Sequence, residues 1–185
     1  MPVNLTAIDA LRDSMGDDFK DIRLNVSSVL TGENLDPATA LGIALASARF
    51  IRSETLTLAL KKDIHDNFGD LNDAETKSAA DIISDATAVA GLMAMNTTYY
   101  RFRHMLSKET YDARPPRLRM SRMAQPATDK ITFELMSLAC AALAGCELCI
   151  KNHEGHLVAA GTSEDTCHDA IRIASVMNAA AVATL

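Results

Sequence analysis

The sequence is poor in aromatic residues: Phe, Tyr and Trp make up 4% of its 185 residues, and Trp is absent. The core must therefore be filled by Ala, Leu, Ile and Met, which suit closely packed helices. No run approaches the roughly 18 consecutive apolar residues of a membrane-spanning helix. The alternating pattern of half-buried strands is also missing. These absences argue against a sheet protein and an integral membrane protein, and they predict an all-α chain. A length of 185 residues allows one large domain or two small ones, and we assign residues 1–185 to a single domain.

Two further absences concern compartment and partners. The stretch from Met1 to Leu5 contains neither a basic region nor an apolar one, so no secretory signal peptide is predicted. A net charge of −6 argues against nucleic acid as a partner. We therefore predict a cytoplasmic protein. One basic cluster surrounds two prolines and is interpreted as a solvated or subunit-facing loop: Arg114, Arg117, Arg119 and Arg122.

Helix signals occupy nearly all of the chain. Asp36 followed by Pro37 is typical of a helix start, and Asn72 with Glu75 resembles a capping box. The proline-containing segment 113–128 is predicted to be the only long irregular stretch. Helices are predicted over Leu5–Met15, Asp18–Leu30, Ala38–Phe50, Glu54–Asn67, Ala74–Met95, Tyr99–Ser107, Asp129–Ala144, Cys146–Ala160 and Glu164–Leu185.

The chain also contains a weak internal similarity. Residues 44–48 resemble residues 137–141, and at the same offset residues 53–56 align with residues 146–149. We interpret this as a duplication of a helical half, about 36–105 and 128–185, although Ala-rich helices also align by chance. In that interpretation only the second half kept its cysteines. The chemistry then belongs to the C-terminal half, and the first half is scaffold.

Two of the four cysteines, Cys146 and Cys149, form a Cys-x-x-Cys pattern. In a cytosolic chain of this length such a pair is typically catalytic or metal-binding. Gly145 predicts a helix start at Cys146, which places Cys149 at i+3 and His153 at i+7 on one helix face. Thiols at such a helix start can close a disulfide. The helix dipole and a nearby base favour thiolate near neutral pH.

Glu134 is the only charged residue between Ile131 and Cys146. A carboxylate in so apolar a run is costly unless it faces a polar partner. We expect Glu134 to fold back and hold or protonate His153, which follows Cys149 by four residues. Thiol, base and base-orienting group together form an activated nucleophile. The dipole favours Cys146 as the reactive thiol and the base favours Cys149; we choose Cys149 because a base in contact outweighs a screened partial charge.

Other interpretations of the cysteines compete with this one. A zinc site is one alternative, but its ligands would spread over about 15 Å of a single helix, too far apart for one ion. Buried inert thiols are another, and a c-type haem is excluded because Ile150, not His, follows the second cysteine. We predict no bound metal, and we interpret Cys140 and Cys167 as core residues. The zinc ligands considered are Cys146, Cys149, His153 and His156.

At these residues the sequence resembles the alkyl hydroperoxide reductase D (AhpD) family, within the carboxymuconolactone-decarboxylase-like superfamily. The decisive segment runs from Phe133-Glu134-Leu135 through Gly145-Cys146 to Cys149 and His153. Residues 21–29, 95–101 and 118–120 also resemble the family, so the similarity covers essentially the whole chain. The resemblance implies an all-helical fold with a repeated helical half, and it implies a homotrimer.

The resemblance also implies a function. Proteins of this family act as antioxidant thiol peroxidases on alkyl hydroperoxides and as reductants of the peroxiredoxin AhpC. Electrons come from NADH through dihydrolipoamide dehydrogenase and the lipoyl group of an acyltransferase, and the chain itself binds no cofactor. Carried over to this sequence, Glu134 and His153 form a proton relay. Cys149 becomes the sulfenic acid, and Cys146 supplies a proton and closes the disulfide.

One departure from the family pattern affects the relay. Some relatives carry His directly before the second cysteine, where this chain has Leu148. A relay step that used that histidine is therefore in doubt, and Glu134 and His153 become more important. Two other functions stay open: a metal-binding structural protein and a thiol-independent enzyme of the carboxymuconolactone decarboxylase type. A metal-binding protein needs another, convergent pair of ligands, which the sequence lacks. The cysteine pair argues against a thiol-independent enzyme.

Overall fold

The computed structural model describes residues 3–69 and 77–185, and within these ranges every regular element is a helix. The all-α prediction is therefore confirmed. A 3₁₀ turn, Asp17–Phe19, precedes the second helix. In the same two ranges, no helix combines the length and apolarity needed to cross a bilayer. The helices are α1 Thr6–Asp13, α2 Lys20–Val29, α3 Pro37–Phe50, α4 Glu54–Phe68, α5 Ala79–Leu106, α6 Glu109–Asp112, α7 Ser121–Ala124, α8 Lys130–Leu143, α9 Glu147–Ala159 and α10 Glu164–Ala183.

Two helices, α3 and α8, form the buried centre of the molecule. The first is buried without interruption over residues 38–48, and the second over residues 132–141. Gly42 of α3 faces α8, because a methyl group at that position would meet the terminal methyl of Met136, which would have to shift. Helices α4, α5 and α10 pack against α3, and α9 packs against α8. Small and aliphatic side chains thus fill the core, as the lack of aromatic residues predicts.

The N-termini of α3 and α8 meet and are capped in the same way. Asp36 accepts hydrogen bonds from the backbone N–H and the hydroxyl of Thr39, at 3.0 and 2.6 Å. Asp129 accepts the equivalent pair from Thr132, at 2.8 and 2.7 Å. The two threonine hydroxyls lie 3.0 Å apart. Lys77 Nζ bridges the two carboxylates, 3.0 Å from Asp36 and 3.2 Å from Asp129. The predicted cap at Asp36 is confirmed.

The environment of these caps favours ionised carboxylates. Burial alone would raise the pKa of Asp36 and of Asp129. The hydrogen bonds from the two threonines, together with the Lys77 ammonium, outweigh that cost and hold both pKa values below the ordinary value of an aspartate. The junction between the two central helices therefore depends on charge as well as on packing.

Helix α5 differs from the prediction. The sequence predicts separate helices over Ala74–Met95 and Tyr99–Ser107, whereas the structure has one helix of 28 residues. The break was predicted at Thr97 and Thr98, but their hydroxyls bond to carbonyls four residues earlier, at 2.6 and 2.8 Å. This local bonding lets both threonines remain inside a helix. Ser78 caps the start of α5, and the capping box predicted at Asn72 and Glu75 lies outside the described residues.

The segment 113–128 is irregular apart from the short α7, as predicted. Asp85, a completely buried residue of α5, holds this segment in place. Its carboxylate accepts hydrogen bonds from Arg122 Nε at 2.9 Å and from the N–H groups of Ala127 and Thr128. The interpretation of Arg122 as a solvated residue is wrong, because its guanidinium pairs with this buried carboxylate, which needs a cationic partner. The subunit-facing alternative stays a prediction. The other arginines of the cluster are exposed: Arg114, Arg117 and Arg119.

The two predicted halves begin alike. Helices α3 and α8 each have 14 residues, and in both halves a three-residue turn separates this helix from the next. The residue before each second helix is its N-cap, Ser53 in the first half and Cys146 in the second. These features agree with an internal repeat. The duplication itself, and the assignment of residues 1–185 to a single domain, stay predictions.

Candidate active site

The structure places the four predicted site residues in one buried region. Glu134 comes from α8, Cys146 is the N-cap of α9, and Cys149 and His153 lie in the first two turns of α9. Their exposed fractions are 7% for Glu134, none for Cys146, 6% for Cys149 and 8% for His153. Because α8 and α9 pack together, Glu134 and His153, 19 positions apart, become neighbours. Buried charges and hydrogen bonds act strongly in such a region.

The turn between the two helices depends on Gly145. Its φ of +63° lies in the left-handed region, which glycine adopts without steric cost. The N–H of Gly145 bonds to the carbonyl of Ala142, and the N–H of Cys146 bonds to that of Ala141, at 3.0 and 3.1 Å. These bonds satisfy the end of α8 and leave Cys146 at the start of α9. The positive end of the α9 dipole therefore lies at the cysteine pair.

Cys146 and Cys149 form a disulfide, with their Cα atoms 5.3 Å apart. This separation is ordinary for a disulfide and confirms that the two sulfurs meet, as their spacing predicts. Cys149 retains a small exposed surface, whereas Cys146 has none. A reactant that approaches from solvent therefore meets Cys149 first.

Glu134 and His153 form the second element of the site. The Oε2 atom of Glu134 lies 2.6 Å from Nδ1 of His153, so the predicted contact between them is confirmed. A carboxylate on Nδ1 fixes the orientation of the ring and leaves Nε2 as the other reactive nitrogen. In the disulfide form, within the described residues, no hydrogen bond joins His153 to either sulfur. Its contact with the Cys149 thiol stays a prediction for the reduced form.

The chain is similar along almost its whole length to proteins named alkyl hydroperoxide reductase AhpD. The relative from Anaeromyxobacter dehalogenans (strain 2CP-C) is 44% identical over 97% of this chain and 91% of its own length. Those from Rhodopseudomonas palustris (strain BisB18) and Brucella abortus (strain 2308) are 40% and 38% identical, over 95% and 96% of this chain and 92% and 95% of theirs. This chain belongs to the AhpD family. The profile of the Carboxymuconolactone decarboxylase family also matches residues 110–185, which include all four site residues.

The two remaining cysteines of this AhpD-family chain lie apart from the pair. Cys140 is completely buried in α8, and burial raises the pKa of its thiol far above the usual range. Burial also raises the pKa of the Cys167 thiol, and the nearby carboxylates of Glu154 and Glu164 raise it further. Both thiols therefore stay protonated at neutral pH and are poor nucleophiles. Their interpretation as core residues is confirmed by their burial.

The metal alternative gains no support from residues 3–69 and 77–185. In these ranges, no three His, Cys, Asp or Glu side chains converge as metal ligands. His156, considered as a fourth zinc ligand, is exposed, whereas His153 is buried and bound by Glu134. The described side chains place a cysteine pair next to a hydrogen-bonded carboxylate and imidazole.

Solvent-exposed charges surround the start of α9 in this AhpD-family chain. Lys151 bonds to Glu147, four residues before it, and His104 Nε2 of α5 lies 3.6 Å from the same carboxylate. The hydrogen bond and the charge of Lys151, then the charge of His104, hold the pKa of Glu147 below its ordinary value. These exposed groups form a polar rim beside the disulfide.

The sequence did not reveal a cavity of about 620 Å³ beside Glu134. Segment 120–124 forms one wall, and α8 and the end of α9 form the others. Besides Glu134, its polar lining residues are Lys130 and His156. A sequence signal did exist for the anchor of this segment, because Asp85 is the only charged residue between Asp81 and Arg101. The apolar lining consists of Met120, Met123, Ala124, Ile131, Ala159 and Ala160.

Proposed function

We propose that this protein is an antioxidant thiol peroxidase that reduces alkyl hydroperoxides through Cys146 and Cys149. The observation that supports this most directly is the disulfide at the start of α9, one turn from the hydrogen-bonded pair of Glu134 and His153. The printed names of the relatives, alkyl hydroperoxide reductase AhpD, support the same reaction class. The protein is proposed to act in the cytoplasm as a homotrimer.

The proposed reaction begins with the reduced pair. His153, held by Glu134, takes the proton of the Cys149 thiol, and the thiolate attacks the terminal oxygen of the hydroperoxide. The O–O bond breaks, and the alkoxide takes a proton from the relay and leaves as an alcohol. Cys149 becomes a sulfenic acid. The substrate has then been reduced by two electrons, and the sulfur has supplied both.

The second step closes the disulfide. The Cys146 sulfur attacks the sulfur of the Cys149 sulfenic acid, and an S–S bond replaces the S–O bond. The Cys146 thiol gives up its proton, and the departing hydroxide leaves as water. Because the Cα atoms are already 5.3 Å apart in the disulfide form, we expect this step to need little backbone movement.

A dithiol must then restore the pair. In the proposal, the dihydrolipoyl group of an acyltransferase attacks the more exposed sulfur, Cys149, and forms a mixed disulfide. Its second thiol releases the protein and becomes part of the lipoyl disulfide. Dihydrolipoamide dehydrogenase then regenerates the dihydrolipoyl group with NADH. The peroxiredoxin AhpC is the proposed oxidised protein partner, whose disulfide takes electrons from the same cysteine pair.

The experiment is reconstitution with purified lipoamide, its dehydrogenase, NADH and an organic hydroperoxide. We expect NADH consumption that depends on this protein and that disappears in Cys149→Ser and in Cys146→Ser. Intact mass after peroxide treatment should fall by two hydrogens, mapped to the peptide that contains both cysteines. Stable free thiols at both positions after that treatment would reject the proposal. Activity retained in Cys149→Ser would instead favour a thiol-independent enzyme of the carboxymuconolactone decarboxylase type.

A further inference from the structure

We infer that the cavity beside Glu134 binds the organic part of the hydroperoxide, and that Lys130 selects hydroperoxides carrying a carboxylate, as fatty-acid hydroperoxides do. The inference rests on the proposed peroxidase function and adds a substrate class and a binding site to it. The apolar walls, the carboxylate of Glu134 and the charge at Lys130 support it separately.

The walls suit an alkyl chain. The cavity volume, about 620 Å³, lies within the roughly 300–1,000 Å³ of small-molecule sites. Met120 and Met123 form one side, and Ile131 and Ala159 contribute to the other. Methionine side chains adapt to irregular apolar shapes, so they accommodate chains that differ in length and unsaturation. None of these four residues is fully buried, which leaves apolar surface for a ligand to cover.

Glu134 connects the cavity to the other site residues. It lines the cavity, and its Oε2 lies 2.6 Å from Nδ1 of His153, which follows Cys149 by one helical turn. A hydroperoxide O–H is a hydrogen-bond donor and the Glu134 carboxylate is an acceptor, so Glu134 favours placing the O–O–H end of the substrate beside it.

The charge at the cavity favours an anion at the other end of the ligand. Lys130 lines the cavity, is exposed, and forms no ion pair within the described residues. Its neighbour Asp129 is already engaged by Lys77. His156 adds a ring N–H donor in the same lining. In a protein with a net charge of −6, a cavity whose unpaired charged group is a lysine is complementary to a carboxylate.

Kinetics with three hydroperoxides test the selection. We compare an 18-carbon fatty-acid hydroperoxide below its micelle concentration, its methyl ester and tert-butyl hydroperoxide. We expect Lys130→Gln to lower kcat/KM about two- to fivefold for the acid only, as expected for one solvent-exposed ion pair. Lys20→Gln is the matched control, because Lys20 is also an exposed first residue of a helix, α2. Equal kcat/KM values for acid and ester in the unmodified protein would overturn the inference.

Binding of oleate, which cannot react, separates this inference from the proposed function. Calorimetry should detect oleate binding that Lys130→Gln weakens and that Ala159→Leu, which narrows the cavity, reduces several-fold. Val158→Leu, an exposed neighbour outside the lining, should leave binding unchanged. If the protein binds oleate in this way but reduces no hydroperoxide, the fatty-acid site is supported and the proposed peroxidase function is rejected. No oleate binding, or a changed oligomeric state in Ala159→Leu, would assign the cavity to something other than a fatty acid and overturn the inference.

Discussion

At equivalent positions, the two helical halves of this protein carry different residues: core leucines in the first and candidate site residues in the second. Thr39 and Thr132, 93 residues apart, occupy equivalent cap positions. When the two halves are aligned with this offset of 93 residues, three leucines of the first half are equivalent to three site residues of the second. Each of these leucines is at most 1% exposed. The site therefore occupies positions that an otherwise similar pair of helices fills with core leucine. The pairs are Leu41 with Glu134, Leu56 with Cys149 and Leu60 with His153.

The helix starts differ in the same way. Ser53 caps α4, with its hydroxyl 3.4 Å from the N–H of Leu56. Cys146 occupies the equivalent position before α9 and makes no side-chain cap bond. A serine cap contributes about 1 kcal/mol to a helix. Helix α9 lacks that contribution, because its N-cap is a cysteine that lies at the positive end of the helix dipole. A sulfur at this position therefore has a structural cost.

The largest expected effect follows from removing the proton-transfer pair. Glu134→Gln and His153→Gln should each lower the peroxidase rate by about 10²-fold or more, because general-base assistance is worth roughly 10² to 10⁴ in rate. Since the two residues act as one relay, the double variant should lose little more than either single one. The measurements are NADH-coupled rates and the rate of Cys149 alkylation across pH.

Folding controls accompany that prediction. Circular dichroism and melting of Glu134→Gln should stay near those of the unmodified protein, since amide replaces acid at nearly equal volume. If Glu134→Gln retains near-normal activity and Cys149 is alkylated at the unmodified rate, the relay does not exist.

A second prediction concerns replacing both Glu134 and His153 by the leucines that the first half has at the equivalent positions. In Glu134→Leu/His153→Leu both members of the buried pair become the leucines found at Leu41 and Leu60. We expect equal or higher stability, by up to about 4 kcal/mol, because a buried polar pair gains little over well-packed aliphatic groups. Peroxidase activity should be lost. Urea unfolding measures the free energy.

The single variant is the control for the leucine exchange. Glu134→Leu alone leaves His153 buried without its partner, so it should be destabilised by about 1–3 kcal/mol. A double variant less stable than this single variant would show that the two halves do not pack equivalently at these positions.

Much of this comparison was predictable from the sequence. Helix starts carry local signals, such as Asp36 before Pro37 and Gly145 before the cysteines, and the helix ends followed from them. The contact of Glu134 with His153 was predictable because an isolated carboxylate in an apolar helix needs a polar partner. Helix starts and isolated buried charges can be recognised in this way because their signals lie within a few residues along the chain.

Other features depended on tertiary packing. The continuity of α5 through Thr97 and Thr98 was missed because hydroxyl bonding to the preceding turn is compatible with a break or with a helix. Arg122 is interpreted from the sequence as solvated or subunit-facing because nothing in its neighbourhood along the chain indicates Asp85, 37 residues earlier. The cavity beside Glu134 joins three separate segments, and no local pattern records such a meeting.

A third, smaller effect concerns the turn before each second helix. Arg52 and Gly145 are equivalent and have φ values of +62° and +63°. Glycine adopts this conformation without steric cost, whereas for other residues it costs about 1–2 kcal/mol. We therefore expect Gly145→Ala to destabilise the protein by about 1 kcal/mol and Arg52→Gly to leave its stability unchanged or raise it slightly. Thermal unfolding measures both, and a destabilised Arg52→Gly would show that the arginine side chain has a role outweighing its backbone strain.

The smallest expected effect lies where the halves meet, at the Lys77 bridge. The pKa values of Asp36 and Asp129 are lowered in the folded protein, so their contribution to stability is complete above the ordinary aspartate pKa of about 4. It is lost as pH falls through the folded values. The two side chains are 54% and 48% exposed, and solvent screening limits the bridge to less than about 1 kcal/mol. Lys77→Met should therefore be slightly less stable near pH 7 and lose less stability between pH 5 and 3 in urea unfolding, whereas Lys20→Met should show the unmodified slope. An unchanged slope in Lys77→Met would mean that the threonine bonds alone keep both carboxylates ionised where the halves join.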